Sequence, residues 1–193
     1  MVKSIGKRII FIAVLISGKG SNLNSLIKNF KNNSKIKISL VLSNNSNAYG
    51  LVYAKKHKIK YKIINYKNKK KAENIILKLL KKNEINLVCL AGFIKILSKY
   101  FIKKFKKPIL NIHPSLLPKY KGLNTHSRVI LNKEKFSGCT VHLVTPALDT
   151  GKIIGQKIVK IRKNENALKL SKRILKQEHI LYSKTIRKFV SNL

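Results

Sequence analysis

Arg8-Ile9-Ile10-Phe11-Ile12-Ala13-Val14-Leu15-Ile16-Ser17-Gly18-Lys19-Gly20-Ser21 decides how the rest of the 193-residue chain is read. Residues 8–16 form a continuous apolar run, the pattern of a strand covered on both faces. Ser17-Gly18-Lys19-Gly20 breaks the run. Ser21 is then placed to cap a helix over 22–31, in which Leu23, Leu26, Ile27 and Phe30 share one face. With Lys3 and Lys7 in front of Arg8, the run also imitates a signal peptide. Its passage straight into a Gly-containing turn and an amphipathic helix favours the buried strand.

Outward from this unit the signals alternate. Strands are expected at 36–43, 59–64, 87–91, 108–112, 138–144 and 153–161. Helices are expected near 48–57, 70–82, 98–106, 124–132 and 165–190. Such alternation predicts an α/β fold, an open, mostly parallel sheet with helices on both faces. The last two strands have no helix between them and predict an antiparallel C-terminal pair. The length suits a single domain over 1–193, and no apolar stretch is long enough to span a membrane. Ligands gather beyond the carboxyl ends of strands in such sheets, so the loops after residues 16, 91, 112 and 144 are expected to meet at one cleft.

The formal net charge is +37, from 43 Lys and Arg against six carboxylates. Lys, Ile and Asn occupy 84 positions and Arg only five, and the lysines are spread over every segment. A dedicated nucleic-acid surface concentrates charge on one face, interleaves aromatics and favours Arg. The charge therefore reads as chain-wide drift, with no specific nucleic acid as partner. Cys89 and Cys139 sit in apolar runs without metal or redox spacing. They read as buried reduced thiols of a cytoplasmic protein with no metal site.

Four motifs carry chemistry. In Ser17-Gly18-Lys19-Gly20-Ser21-Asn22-Leu23 a strand–helix turn exposes backbone amides at a helix N-terminus, which suits a phosphate. The spacing is neither the P-loop nor the dinucleotide fingerprint, and a plain turn explains it equally well. In Asn111-Ile112-His113, alternation puts an amide and an imidazole on one side of a strand end, where they could hold an oxyanion and move a proton. Asp149 is the only aspartate and follows His142 by seven residues. Alone it is a solvated turn residue; near an imidazole it would raise the pKa and set the tautomer. His142 reads equally as structural; His57, at a helix end where a cation is favourable, reads as structural, and His126 carries little signal alone. Glu178, in Gln177-Glu178-His179, is more often an exposed helix residue than a ligand.

Taken in order, the 17–23 loop, Leu90-Ala91-Gly92-Phe93, Leu110-Asn111-Ile112-His113-Pro114-Ser115-Leu116-Leu117-Pro118-Lys119-Tyr120, Gly122-Leu123-Asn124-Thr125-His126 and Leu148-Asp149-Thr150-Gly151 resemble the phosphoribosylglycinamide formyltransferases, folate-dependent enzymes of purine synthesis. The resemblance covers about residues 8–183. It implies a Rossmann-like formyltransferase fold, with a phosphate-binding half over about 8–100 and a folate and catalytic half over about 101–193. It also implies transfer of the formyl group of 10-formyltetrahydrofolate to the amine of glycinamide ribonucleotide by a monomer or weak homodimer. By the same resemblance, His113 would be the general acid, Asn111 would share the oxyanion with it, and Asp149 would hold His113. Gly20, Ser21, Asn22, Leu23 and Asn24 would take the substrate phosphate, and Glu178 its ribose hydroxyls. Ile94, Lys95, Ile96, Leu97 and Asn111, with the 145–149 loop, would line the folate site, and Lys70 would meet the glutamate tail. Lys121 and Lys152 stand where the family often has proline, and Leu175 where a polar residue is expected beside the ribose. A formyltetrahydrofolate hydrolase or methionyl-tRNA formyltransferase would share the His113 and Asp149 chemistry without needing the phosphate loop. A basic nucleic-acid-binding protein would explain the charge but not the placement of Asn111, His113 and Asp149.

Overall fold

Residues 10–16 run through the centre of the sheet, as an apolar run covered on both faces requires. In the computed structural model, which describes residues 9–192, β1 (Ile10–Ile16) lies between β2 (Ile36–Ser43) and β4 (Leu87–Leu90). With β3 (Lys60–Ile63), β5 (Ile109–His113), β6 (Phe136–Leu143) and β7 (Ile153–Lys160), the order is β3-β2-β1-β4-β5-β6-β7. The first five strands are parallel. β6 is antiparallel to both β5 and β7. Lys3, Lys7 and Arg8 lie outside the described residues.

The pleat sorts β1 between two cores. Ile12, Val14 and Ile16 pack with Leu23 and Leu26 of α1 (Ser21–Phe30) and with Ile174 and Tyr182 of α6 (Ala167–Ser191). Ala13 and Leu15 face Ile76 and Leu80 of α3 (Lys69–Lys82) and Phe101 of α4 (Lys99–Phe105). Each such Leu or Ile contributes roughly 1.5–3 kcal/mol by leaving water. The Tyr182 hydroxyl, fully buried, reaches the carbonyls of Leu90 and Leu110 at 3.0 Å each. It thus fastens α6 under β4 and β5, the strands that end at the site. α2 (Gly50–Lys56) and α5 (Thr125–Leu131) complete the helices. No helix among the described residues is long and apolar enough to cross a membrane.

Two expectations change. Ser21 does not cap α1 but is its first residue; Gly20 holds the cap position at φ 72° with no side-chain bond. The backbone of Gly50 packs there, and a Cβ on Gly20 would clash with the Gly50 Cα. The loop after residue 144 does not leave from the carboxyl end shared by β1, β4 and β5. Because β6 runs the other way, Val144 N–H donates to the carbonyl of Ile109, at the amino end of β5. The loop then folds back to bring Asp149 against His113.

Candidate active site

The site begins at the end of β5, where Asn111 and His113 alternate onto one side of the strand. Antiparallel pairing sets Asn111 opposite His142 of β6, a register that neither strand's own pattern reveals. The β6–β7 loop supplies Asp149, in the left-handed region at φ 51°. Asp149 Oδ2 accepts the Gly122 N–H at 2.9 Å and lies 3.4 Å from His113 Nδ1; its Oδ1 is 3.5 Å from His142 Nε2. The only aspartate of the chain is thus 9% exposed and sits between two histidines.

His113 is buried with an acceptor at each ring nitrogen: Asp149 at Nδ1, and the Tyr120 carbonyl 2.9 Å from Nε2. Both contacts favour a protonated ring. Burial outweighs them, aided by the charges of His142 and Arg128, and holds His113 below the usual histidine range. The sequence-based expectation of a raised pKa therefore holds for the Asp149 contribution and fails for the net shift. Burial pushes the Asp149 carboxyl up. The nearby His142 ring, the hydrogen bond from the Gly122 N–H and the charge of His113 more than offset this and hold it below its ordinary value.

These groups face a cleft of about 950 Å³. Its apolar wall includes Ile94, Ile96 and Leu97 after β4, Val144 and Leu148 of the β6–β7 loop, and Leu168 at the start of α6; Lys95 also borders it. That size and lining fit a ring-bearing small molecule. Gly20, Ser21, Asn22, Leu23, Asn24 and Glu178 lie outside its lining and form a second corner. Asn24 N–H makes the bond to Gly20 O, so the amides of Ser21, Asn22 and Leu23 come before the first helical bond and point out of the N-terminus. Asn22 Nδ2 donates to Glu178 Oε2 at 2.7 Å, joining α1 to α6. Glu178 is buried, not exposed as a helix glutamate usually is. Lys70 is exposed on α3 in a separate depression with Asn68, Lys71, Asn74, Ile75 and Lys78. The fold does not bring it to the cleft.

Ser17 stitches the two corners together. Its N–H donates to Gly92 O at 3.1 Å, and its Oγ accepts from Ile94 N–H at 3.0 Å. His142, the Tyr120 carbonyl and the Gly122 amide are the parts that sequence reading left out or open. The last two act through backbone atoms, which carry no residue-type signal.

A family model described as formyl transferase matches residues 10–186. The chain is 41% identical over 175 residues to the trifunctional purine biosynthetic protein adenosine-3 of Homo sapiens. That match covers 89% of this chain but only 17% of the human protein. It is 40% identical to the phosphoribosylglycinamide formyltransferase of Haemophilus influenzae, covering 92% of this chain and 86% of that one. Among solved structures, the phosphoribosylglycinamide formyltransferase of Anaplasma phagocytophilum superposes with a TM-score of 0.89 at 38% identity, covering 95% of this chain and 87% of its own. The Brucella melitensis enzyme of the same name gives 0.90 at 36%, covering 96% and 98%.

Proposed function

The chain belongs to the formyl transferase family, and on that premise we propose that it transfers the formyl group of 10-formyltetrahydrofolate to the amine of glycinamide ribonucleotide. The products are formylglycinamide ribonucleotide and tetrahydrofolate, within purine biosynthesis. The observation that carries this reading is the meeting of Asn111, His113 and Asp149 on the wall of one apolar cleft.

Bound formylfolate supplies an electrophilic formyl carbon and a leaving nitrogen. The cleft walls at Ile94–Leu97 and Leu148 take its ring system by apolar contact. The Asn111 amide donates to the formyl oxygen as negative charge grows there, when a fixed dipole is worth most. A His113 held below its usual pKa starts as a base. Its Nε2 hydrogen is donated to the Tyr120 carbonyl, so Nδ1 is the nitrogen that takes the proton the attacking amine must lose, and the resulting cation is stabilised by Asp149 at 3.4 Å. His113 then returns that proton to the leaving nitrogen as the old C–N bond breaks, so one proton moves from amine to amine. At the second corner, the free amides at the start of α1 hold the substrate phosphate, and Glu178, beside Asn22, holds the ribose.

The test is tetrahydrofolate release from 10-formyltetrahydrofolate with and without glycinamide ribonucleotide. Release is expected only with the amine present. Release at the same rate without it would overturn this reading in favour of the hydrolase.

A further inference from the structure

His142 is the one side chain of this cluster that the mechanism above leaves without a task, and its two shortest contacts agree on one arrangement of the ring. It is 2% exposed. Its Nδ1 lies 2.9 Å from the carbonyl of its neighbour Leu143. A carbonyl only accepts, so Nδ1 carries the hydrogen, and in a neutral ring Nε2 carries the lone pair. Asn111 Nδ2, which only donates, sits 3.1 Å from that lone pair. The cross-strand register sets the two side chains next to each other, since Asn111 and His142 are directly opposed residues of β5 and β6. An amide held this way cannot exchange its nitrogen and oxygen ends without losing the bond. The second hydrogen on the same nitrogen stays available to the cleft that Asn111 lines.

We propose that His142 is a positioning residue that locks the Asn111 side-chain amide, nitrogen end inward, so that its second N–H meets the oxygen of the formyl group; the role in turnover rests on the function proposed above. The lock depends on the Leu143 carbonyl, which sets the tautomer. The one competitor for Nε2 is Asp149 Oδ1 at 3.5 Å. A hydrogen on Nε2 would turn His142 towards that carboxylate and leave the Asn111 N–H without its acceptor.

Two sets of measurements test this. In ¹⁵N-labelled protein, His142 is expected as the Nδ1–H tautomer. The Asn111 side-chain NH₂ resonance should move in His142→Leu and return towards its original position in His142→Gln, whose terminal oxygen can replace Nε2 as acceptor. A wild-type ring protonated at Nε2, or an Asn111 resonance that ignores His142→Leu, overturns the proposal. These readings need no turnover, so they stand or fall separately from the formyl-transfer assignment.

In the assay, His142→Leu should lower kcat by at least about tenfold with both KM values within about twofold. Removing an oxyanion donor outright costs roughly 100- to 1000-fold in kcat, which bounds the effect. His142→Gln should recover most of the loss. In an Asn111→Ala background His142→Leu should cost less than about twofold more, because the group it positions is gone. A loss there as large as in the wild-type background would show that His142 acts independently and would overturn the lock.

Discussion

Glu178 and Asp149 are both buried carboxylates in a chain that holds only six, yet their surroundings drive them in opposite directions. Burial pushes the Glu178 carboxyl up, and the single hydrogen bond from Asn22 does not compensate. Burial pushes Asp149 the same way, but the Gly122 N–H and two histidines reverse the shift. The difference lies in the donors each carboxylate meets. Those donors come from the tertiary fold: one helix contact for Glu178, and a strand pair with a returning loop for Asp149.

The strongest way to break this comparison is to neutralise Asp149. Asp149→Asn keeps the shape and removes the charge that stabilises protonated His113. Turnover should fall by roughly 100- to 10,000-fold, the span of general acid–base effects, with the circular-dichroism spectrum unchanged. Wild-type kcat in this variant would remove Asp149 from the mechanism.

A smaller effect, of opposite sign at the two carboxylates, is expected in stability. A carboxyl held low in the fold stabilises it above its unfolded pKa and loses that contribution as pH falls through the folded value. A carboxyl held high favours the fold below its unfolded pKa and opposes it as pH rises through the folded value. At neutral pH, Glu178→Gln should therefore raise Tm and Asp149→Asn lower it, each kcal/mol counting for about 2–4 °C. Lowering the pH below the ordinary carboxyl value near 4.5 should shrink the gain from Glu178→Gln. Thermal melts at both pH values check this; equal shifts of the same sign would contradict it.

A smaller change still should come from salt. With a net charge of +37, self-repulsion destabilises the native state, and raising ionic strength from about 10 mM to about 150 mM shortens the Debye length from about 30 Å to about 8 Å. Tm should rise over that range, and a flat profile would show that the dispersed lysines do not strain the fold. The smallest change is expected at Lys70, exposed and away from the cleft. Lys70→Ala should alter the KM for 10-formyltetrahydrofolate by less than about twofold, and a larger rise would return Lys70 to the folate site.

Much of the architecture was legible because it rests on local periodicity. The run at 8–16 announced a central strand, and the helical spacing of Leu23, Leu26, Ile27 and Phe30 announced α1. The antiparallel end was expected only for β6 and β7, because a loop between β5 and β6 that holds a helix resembles any parallel crossover. That difference hid the Asn111–His142 pair and left His142 open. Ser21 misled for another reason. A serine before a helix reads as a cap, and only the folded backbone, with Gly20 in the left-handed region against Gly50, puts the cap one residue earlier. Lys70 was placed by resemblance alone, and an exposed lysine among 38 carries no positional signal of its own.

By itself the sequence determined which residues could do chemistry and which strand ends would carry them. Side-chain identity and periodicity are local properties, and Asn111, His113 and the turn at 17–23 are written in them. The tertiary structure alone decided what each group would be in its place. The reversed β6 put His142 beside Asn111, the returning loop put one aspartate between two histidines, and the α1–α6 contact buried Glu178. Protonation and orientation depend on donors and acceptors within a few ångströms, and those neighbours come from residues far away in the chain.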